Sequence, residues 1–265
     1  IDVGQDVEGE SKYTRELRLY QQRGNLIKVQ HADYCGQILD KIDQLYEDES
    51  RTLPFICVEG SSGMGKTQLA FALGGRRPWF YWPATRIGSD SQNLYQNFDK
   101  ISDAFDEITL KDKPMKLFKA AILNSNSKFY KTELLWTYGF ILALLKQYSL
   151  KTDQSTEMIR FVGKTLLRVD KCNRAAVTEF CASMKSSGKV LPFFILDEMT
   201  PNTNMDGGGM NMAAFQRNVF LGRKLQTDAY VDDDCAPVPS ESACCFGRQS
   251  KTSCVEATCR SISCT

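Results

Sequence analysis

The sequence predicts an α/β fold, an open and mostly parallel sheet interrupted by a large helical insertion, and three observations carry that prediction. Between Pro54 and Leu73 a short apolar run, a glycine-rich loop and a helical stripe follow one another as strand, loop and helix. Val190 to Leu196 is a continuous apolar run that ends in the acidic pair Asp197-Glu198, as a buried parallel strand would. Between and around these lies the order strand, helix, strand, several helices, strand, which selects helices packed on a parallel sheet.

Composition sets the outer bounds. A chain of 265 residues with 42% hydrophobic and 25% charged residues can bury a sizeable core and reads as globular. A formal net charge of +1 gives no ground for attraction to DNA or RNA, so nucleic acid is not predicted as a partner. No apolar span approaches the roughly 18 residues a membrane helix needs, and no membrane partner is predicted. The chain opens at Ile1 with no charged-then-apolar leader, so no signal peptide is read and a preceding segment is expected to be missing. Of the ten cysteines, Cys35, Cys57, Cys172 and Cys181 fall in patterned segments and read as small core residues, while six crowd the end from Cys235 to Cys264. They contain no C-x-x-C and the sole histidine, His31, is remote, so zinc is not predicted.

The elements follow in chain order. Tyr13, Leu17, Leu19 and Tyr20 form a weak helical stripe that is expected to stop near Gly24, and alternating Leu26, Ile27 and Val29 predict a short strand over Asn25 to Gln30. Tyr34, Ile38, Ile42 and Leu45 mark a helix leading to the first core strand. After the helix beginning near Lys66, Gly74-Gly75 breaks the chain and Trp79-Phe80-Tyr81-Trp82 reads as a second buried strand. Leu94, Phe98, Ile101, Phe105 and Ile108 step by four, three, four and three along one helical face. Further helices are predicted from Pro114 through Ile122, over Thr132 to Tyr148, Gln154 to Leu167 and Cys172 to Met184, and along the stripe Met212, Phe215 and Val219. Ser, Cys, Asp and Thr dominate 222–265, where disorder is expected. The division is therefore a helical lead-in over 1–48, a core over 49–221 and a cysteine- and serine-rich tail over 222–265.

The loop of the first stretch fits G-x-x-x-x-G-K-[ST] with Gly60, Gly65, Lys66 and Thr67. A nucleoside triphosphate needs its oxygens surrounded by donors where backbone can come close. Gly60, Gly63 and Gly65 permit that approach, and amides from Ser61, Ser62, Gly63, Met64, Gly65, Lys66, Thr67 and Gln68 would face the phosphates. Lys66 would bridge the β- and γ-phosphates and the Thr67 hydroxyl would ligate Mg²⁺. Asp197 would serve the metal, and Glu198 would orient or deprotonate the attacking water, giving Glu198 and Lys66 the catalytic roles. At that strand end stands Asp-Glu rather than the Asp-x-x-Gly turn of GTPases, and no Asn-Lys-x-Asp base reader occurs, so ATP with Mg²⁺ is the expected ligand pair. The other reading is a non-hydrolysing interaction module or a truncated remnant with weak or no nucleotide binding. Trp79, Tyr81 and Trp82 read as packing rather than base stacking, and His31, Asp33 and Cys35 do not converge on one substrate. Arg217 and Arg223, candidate arginine fingers, read as a solvated helix face.

The Asp-Glu arrangement resembles the additional-strand, catalytic-glutamate branch of P-loop ATPases, to which the AAA+ and signal-transduction ATPases belong. Residues 55–69, the segment Gly75-Arg76-Arg77-Pro78-Trp79-Phe80-Tyr81-Trp82, and Leu196-Asp197-Glu198-Met199-Thr200-Pro201-Asn202 with the following Met210-Asn211-Met212-Ala213-Ala214-Phe215 resemble the ATPase region of oomycete Crinkler-type effectors. That resemblance, over roughly 25–221, implies a secreted effector of a plant-pathogenic microbe that acts in the host cell, often in the nucleus, on a host protein partner. The N-terminal Leu-Phe-Leu-Ala-Lys-type segment of that family does not occur in this sequence. The resemblance also implies a strand after the Met212 to Phe220 helix, inserted between the phosphate-loop strand and the Asp-Glu strand. No such strand is predicted here, so the sheet is expected to be incomplete beyond Leu221, with two unpaired inner edges and weakened nucleotide binding.

Overall fold

Helical stripes and apolar runs settle, in the computed structural model, into six α-helices and four strands among the residues it describes, 1–5, 11–47, 57–59, 65–112, 132–151, 155–197 and 245–247. The first helix, α1, spans Lys12–Gln30 and begins at Ser11, whose side chain accepts a hydrogen bond from the Thr14 amide. It runs straight through the segment expected to form a strand. Leu26 and Val29, which made that segment look strand-like, are exposed at 60% and 78%. Gly24 does not stop the helix, because its role is one of contact: a Cβ there would lie 2.6 Å from the Phe71 carbonyl carbon, so glycine lets α1 cross closely over the later helix α3, Lys66–Ala72. Helix α2, Ala32–Glu47, follows as predicted.

Strands β1 (Cys57–Glu59), β2 (Trp79–Pro83), β3 (Phe193–Asp197) and β4 (Cys245–Gly247) form one parallel sheet in the order β1-β4-β3-β2. The longest pairing is β2 with β3, in register from Trp79 opposite Phe193 to Pro83 opposite Asp197. The chain is thus a helix-rich α/β protein with a small parallel sheet. The expected gap is filled: β4 pairs with β1 on one side and β3 on the other. A three-residue strand needs no long branched run, and the quartet Ala243-Cys244-Cys245-Phe246 is its apolar signal in the sequence.

Every residue of β2 is buried because both faces of the sheet are covered. On one face Phe80 stacks on Phe194 at 5.0 Å, and Trp82 meets Phe105 at 5.6 Å and Phe140 at 6.3 Å. Phe105 belongs to α4 (Asp99–Asp112), which continues a 3₁₀ turn at Tyr95–Phe98, and Phe140 to α5 (Trp136–Ser149). On the other face Phe71 of α3 (Lys66–Ala72) packs against Tyr81 at 5.1 Å and against Trp79 at 5.7 Å. Strand alternation alone sorts these rings, two to each side.

The insertion between β2 and β3 holds α4, α5 and α6 (Arg174–Ser186) among the described residues. Buried Asp112 at the end of α4 accepts hydrogen bonds from the amides of Trp136 and Thr137, both at 2.9 Å, and from the Thr137 hydroxyl at 2.7 Å. It therefore caps α5 from outside that helix. The predicted helix over Gln154 to Leu167 is not formed where it is described. Residues 155–172 instead run extended, bridging Met158 to Trp79, Val162 to Gln5, Leu166 to Asp2 and Cys172 to Leu135. Buried Phe161 next to exposed Val162 shows the two-residue period, and Gly163 at φ +68° turns the segment. The helix predicted from Pro114 and the stripe Met212 to Val219 lie outside the described residues. No helix among the described residues is long and apolar enough to cross a membrane.

Candidate functional site

The site is built where α3 begins and β3 ends. Gly65 precedes α3 in a left-handed conformation, φ +78° and ψ 17°, which a side-chain-bearing residue adopts only at a cost of about 1 kcal/mol or more. Open space surrounds the position of its missing Cβ, so the requirement for glycine there is conformational and not steric. Its carbonyl accepts the Leu69 amide at 2.9 Å and starts the helix. Lys66 and Thr67 occupy the first turn, both half-buried. Asp197 closes β3 opposite Pro83, its backbone carbonyl accepting the Ala84 amide at 2.7 Å, and it is only 2% exposed.

These two ends meet through one contact. The Thr67 hydroxyl donates to Asp197 Oδ2 at 2.7 Å across 130 positions of chain. The same oxygen accepts the Tyr81 hydroxyl at 2.8 Å, so two donors converge on it from α3 and β2. Burial pushes the Tyr81 phenol well above its ordinary range, and the neighbouring Asp197 charge pushes it the same way. Tyr81 therefore stays protonated and serves as a donor. Tyr20 of α1 has its phenol raised by burial first, then by the Glu16 charge, with Asp197 acting the same way more weakly. Gln68 Oε1 is buried and has no hydrogen-bond partner among the described residues.

Of the predicted site residues, the fold brings Gly65, Lys66, Thr67 and Asp197 to one place. Gly60, Ser61, Ser62, Gly63, Met64 and Glu198 lie outside the described residues, as do Arg217 and Arg223. Tyr81 was missed as a site residue. Its place in an aromatic run announces burial, and only the parallel register of β2 on β3 brings its hydroxyl to Asp197. Trp79, Phe80 and Trp82 are core, at 4%, 1% and 0% exposure. His31 sits at the α1–α2 junction and is exposed, whereas Cys35 is buried, so these two do not form a cluster. Arg76 and Arg77 pair with Asp40 and Asp43 of α2.

A cavity of about 750 Å³ lies elsewhere, against Trp79 at the opposite end of β2 from Asp197. Lys28 and Lys151 line it, but their ammonium groups donate to the carbonyls of Gly74 and Arg160. Among the described residues no group of three or more His, Cys, Asp or Glu side chains is placed to hold a metal ion. A Thr67 hydroxyl and an Asp197 carboxylate are nonetheless a hard-oxygen pair of the kind Mg²⁺ uses, since that ion keeps most of its waters and takes one or two protein ligands. The chain matches no protein-family model, no curated protein and no solved structure.

Proposed function

We propose that this chain is a P-loop NTPase that binds ATP with Mg²⁺ between the start of α3 and the end of β3, and that it hydrolyses the nucleotide. The reading is supported above all by the Thr67 to Asp197 hydrogen bond of 2.7 Å, which joins a hydroxyl next to the loop lysine to the acidic end of a parallel strand. Ligands of open α/β sheets gather at the carboxyl ends of the strands, where Asp197 stands. The strand order β1-β4-β3-β2 fits the additional-strand branch that the Asp-Glu motif resembles.

Each residue then has a stated task. Lys66 would compensate charge on the β- and γ-phosphates, and the amides from Ser61 to Gln68 would donate to the phosphate oxygens. The Thr67 oxygen would face the metal while its hydroxyl proton stays directed at Asp197 Oδ2, so binding requires no breakage of the existing hydrogen bond. Bound Mg²⁺ supplies neutralisation of phosphate charge. Glu198, next after Asp197, would accept the proton of the attacking water. A secreted effector acting on a host protein remains the wider setting that the Crinkler resemblance proposes.

The test is a thermal melt with and without ATP and Mg²⁺. A rise in Tm that is lost in Lys66→Ala supports nucleotide binding at this loop. An equal Tm with and without nucleotide in the parent protein would sink the proposal.

A further inference from the structure

We infer that Tyr81 is a positioning residue for the metal-binding carboxylate, a role that rests on the nucleotide reading above. Its hydroxyl lies 2.8 Å from Asp197 Oδ2, the oxygen that also accepts Thr67 at 2.7 Å. A carboxylate turns readily about its terminal torsion, whose energy well is broad. One donor leaves that rotation loose, whereas two donors from different elements hold the oxygen in place. Thr67 comes from the first turn of α3, whereas Tyr81 comes from the middle of β2, a strand paired with β3 along its whole length.

The mounting of Tyr81 suits this task. The residue is 2% exposed, with Phe71 at 5.1 Å, Phe98 at 4.8 Å and Trp79 at 6.4 Å around its ring. Its strand is locked to β3 in register, Tyr81 opposite Ile195, two positions before Asp197. The hydroxyl therefore has a fixed origin, and Asp197 is aimed before any metal arrives. Preorganisation of this sort raises affinity by removing an ordering cost from the binding step. The support of a metal ligand by an outer hydrogen bond typically changes metal affinity by about 10–100-fold.

The experiment titrates Mg²⁺ at saturating ATP and reads the half-saturating concentration from the nucleotide-dependent rise in Tm. Tyr81→Phe should raise that concentration roughly tenfold while ATP binding in EDTA is unchanged. If Tyr81→Phe does not fold, 4-fluorophenylalanine at the same position refills the hydroxyl's volume without a donor and should give the same shift. Replacement by 4-aminophenylalanine, which donates but does not take a phenolate charge, should restore the parental value. A purely structural role for Tyr81 would lower Tm without moving the Mg²⁺ half-point. A parent that shows a Mg²⁺-dependent rise alongside a donor-free variant with the same half-point overturns this inference alone. A parent with no response to ATP and Mg²⁺ overturns the nucleotide reading, and this inference with it.

Discussion

Replacing Thr67 by valine removes one hydroxyl and nearly nothing else, because the two side chains share shape and β-branching. In the nucleotide-free protein the change deletes the 2.7 Å bond to Asp197 and leaves Tyr81 as a donor to the same oxygen. A hydrogen bond to a charged acceptor contributes about 1.5–3 kcal/mol, and half-burial of Thr67 reduces that to about 1–2 kcal/mol. For a chain of this size each kcal/mol moves Tm by about 2–4 °C, so the free protein should melt about 2–8 °C lower. The second effect is separate. ATP with Mg²⁺ at a hundredfold excess over Kd stabilises a binding protein by about 2.7 kcal/mol, a rise of about 5–11 °C, which Thr67→Val should largely abolish. Thr67→Ser keeps the donor and should recover most of both. Differential scanning fluorimetry over an ATP and Mg²⁺ series reads the two effects independently. A free-protein Tm within 1 °C of the parent would mean that the hydroxyl contributes nothing to Asp197. An undiminished nucleotide shift in Thr67→Val would remove Thr67 from the metal site.

Four further outcomes are expected. Glu198→Gln should bind ATP like the parent while phosphate release falls by about 10²-fold or more, and equal release would take Glu198 out of the mechanism. Asp112→Ala should cost about 2–4 kcal/mol in urea melts, because it strands two amides and a hydroxyl at the start of α5; a loss under 1 kcal/mol would show that water replaces the cap. Burial raises the Asp112 carboxyl above its ordinary 3.8 despite those donors, so the folded state holds the proton longer than the unfolded one. This group's contribution should fall as pH rises from about 4 through its raised value, and Asp112→Asn should flatten that part of the Tm–pH curve; parallel curves would refute the sign. Ending the chain at Leu221 removes β4, the partner of β1 among the described residues, and should abolish the ATP-dependent rise. A truncated protein with a full response would free the site from that strand.

The parts of the fold legible in the sequence are those where one face decides the structure. The stripe from Leu94 to Ile108 became a 3₁₀ turn and α4, and the aromatic run became β2, because burial on a fixed period leaves few alternatives. Where the period is short, tertiary contact decides. Leu26, Ile27 and Val29 alternate as a strand would, yet they continue a helix held against α3 through Gly24. Met158 to Leu167 offered enough apolar residues for a helix, but the open start of β2 and the first residues of the chain accept its backbone: the Ile159 amide donates to the Trp79 carbonyl at 2.7 Å and the Gln5 amide to the Phe161 carbonyl at 2.7 Å. No local pattern contains that information. The site divides in the same way, since Thr67 and Asp197 belong to motifs with local spelling, whereas Tyr81 reaches Asp197 only through strand pairing.

The pairing of β4 changes the standing of the whole site. A phosphate loop can act with an acidic strand end only if the backbone between them fixes their separation, and β1 and β3 are not neighbours in this sheet. Cys245–Gly247 bridges them, in register with Cys57–Glu59 on one side and with Leu196 and Asp197 on the other. The last of these pairs sets Phe246 opposite Asp197, so the backbone of Asp197 is bracketed by β2 and β4. Three residues thus supply the strand whose absence would have left two inner edges unpaired. The spacing of β1 from β3 is thus set by β4, and the Thr67 and Tyr81 hydroxyls both donate to Asp197 Oδ2 at the end of β3.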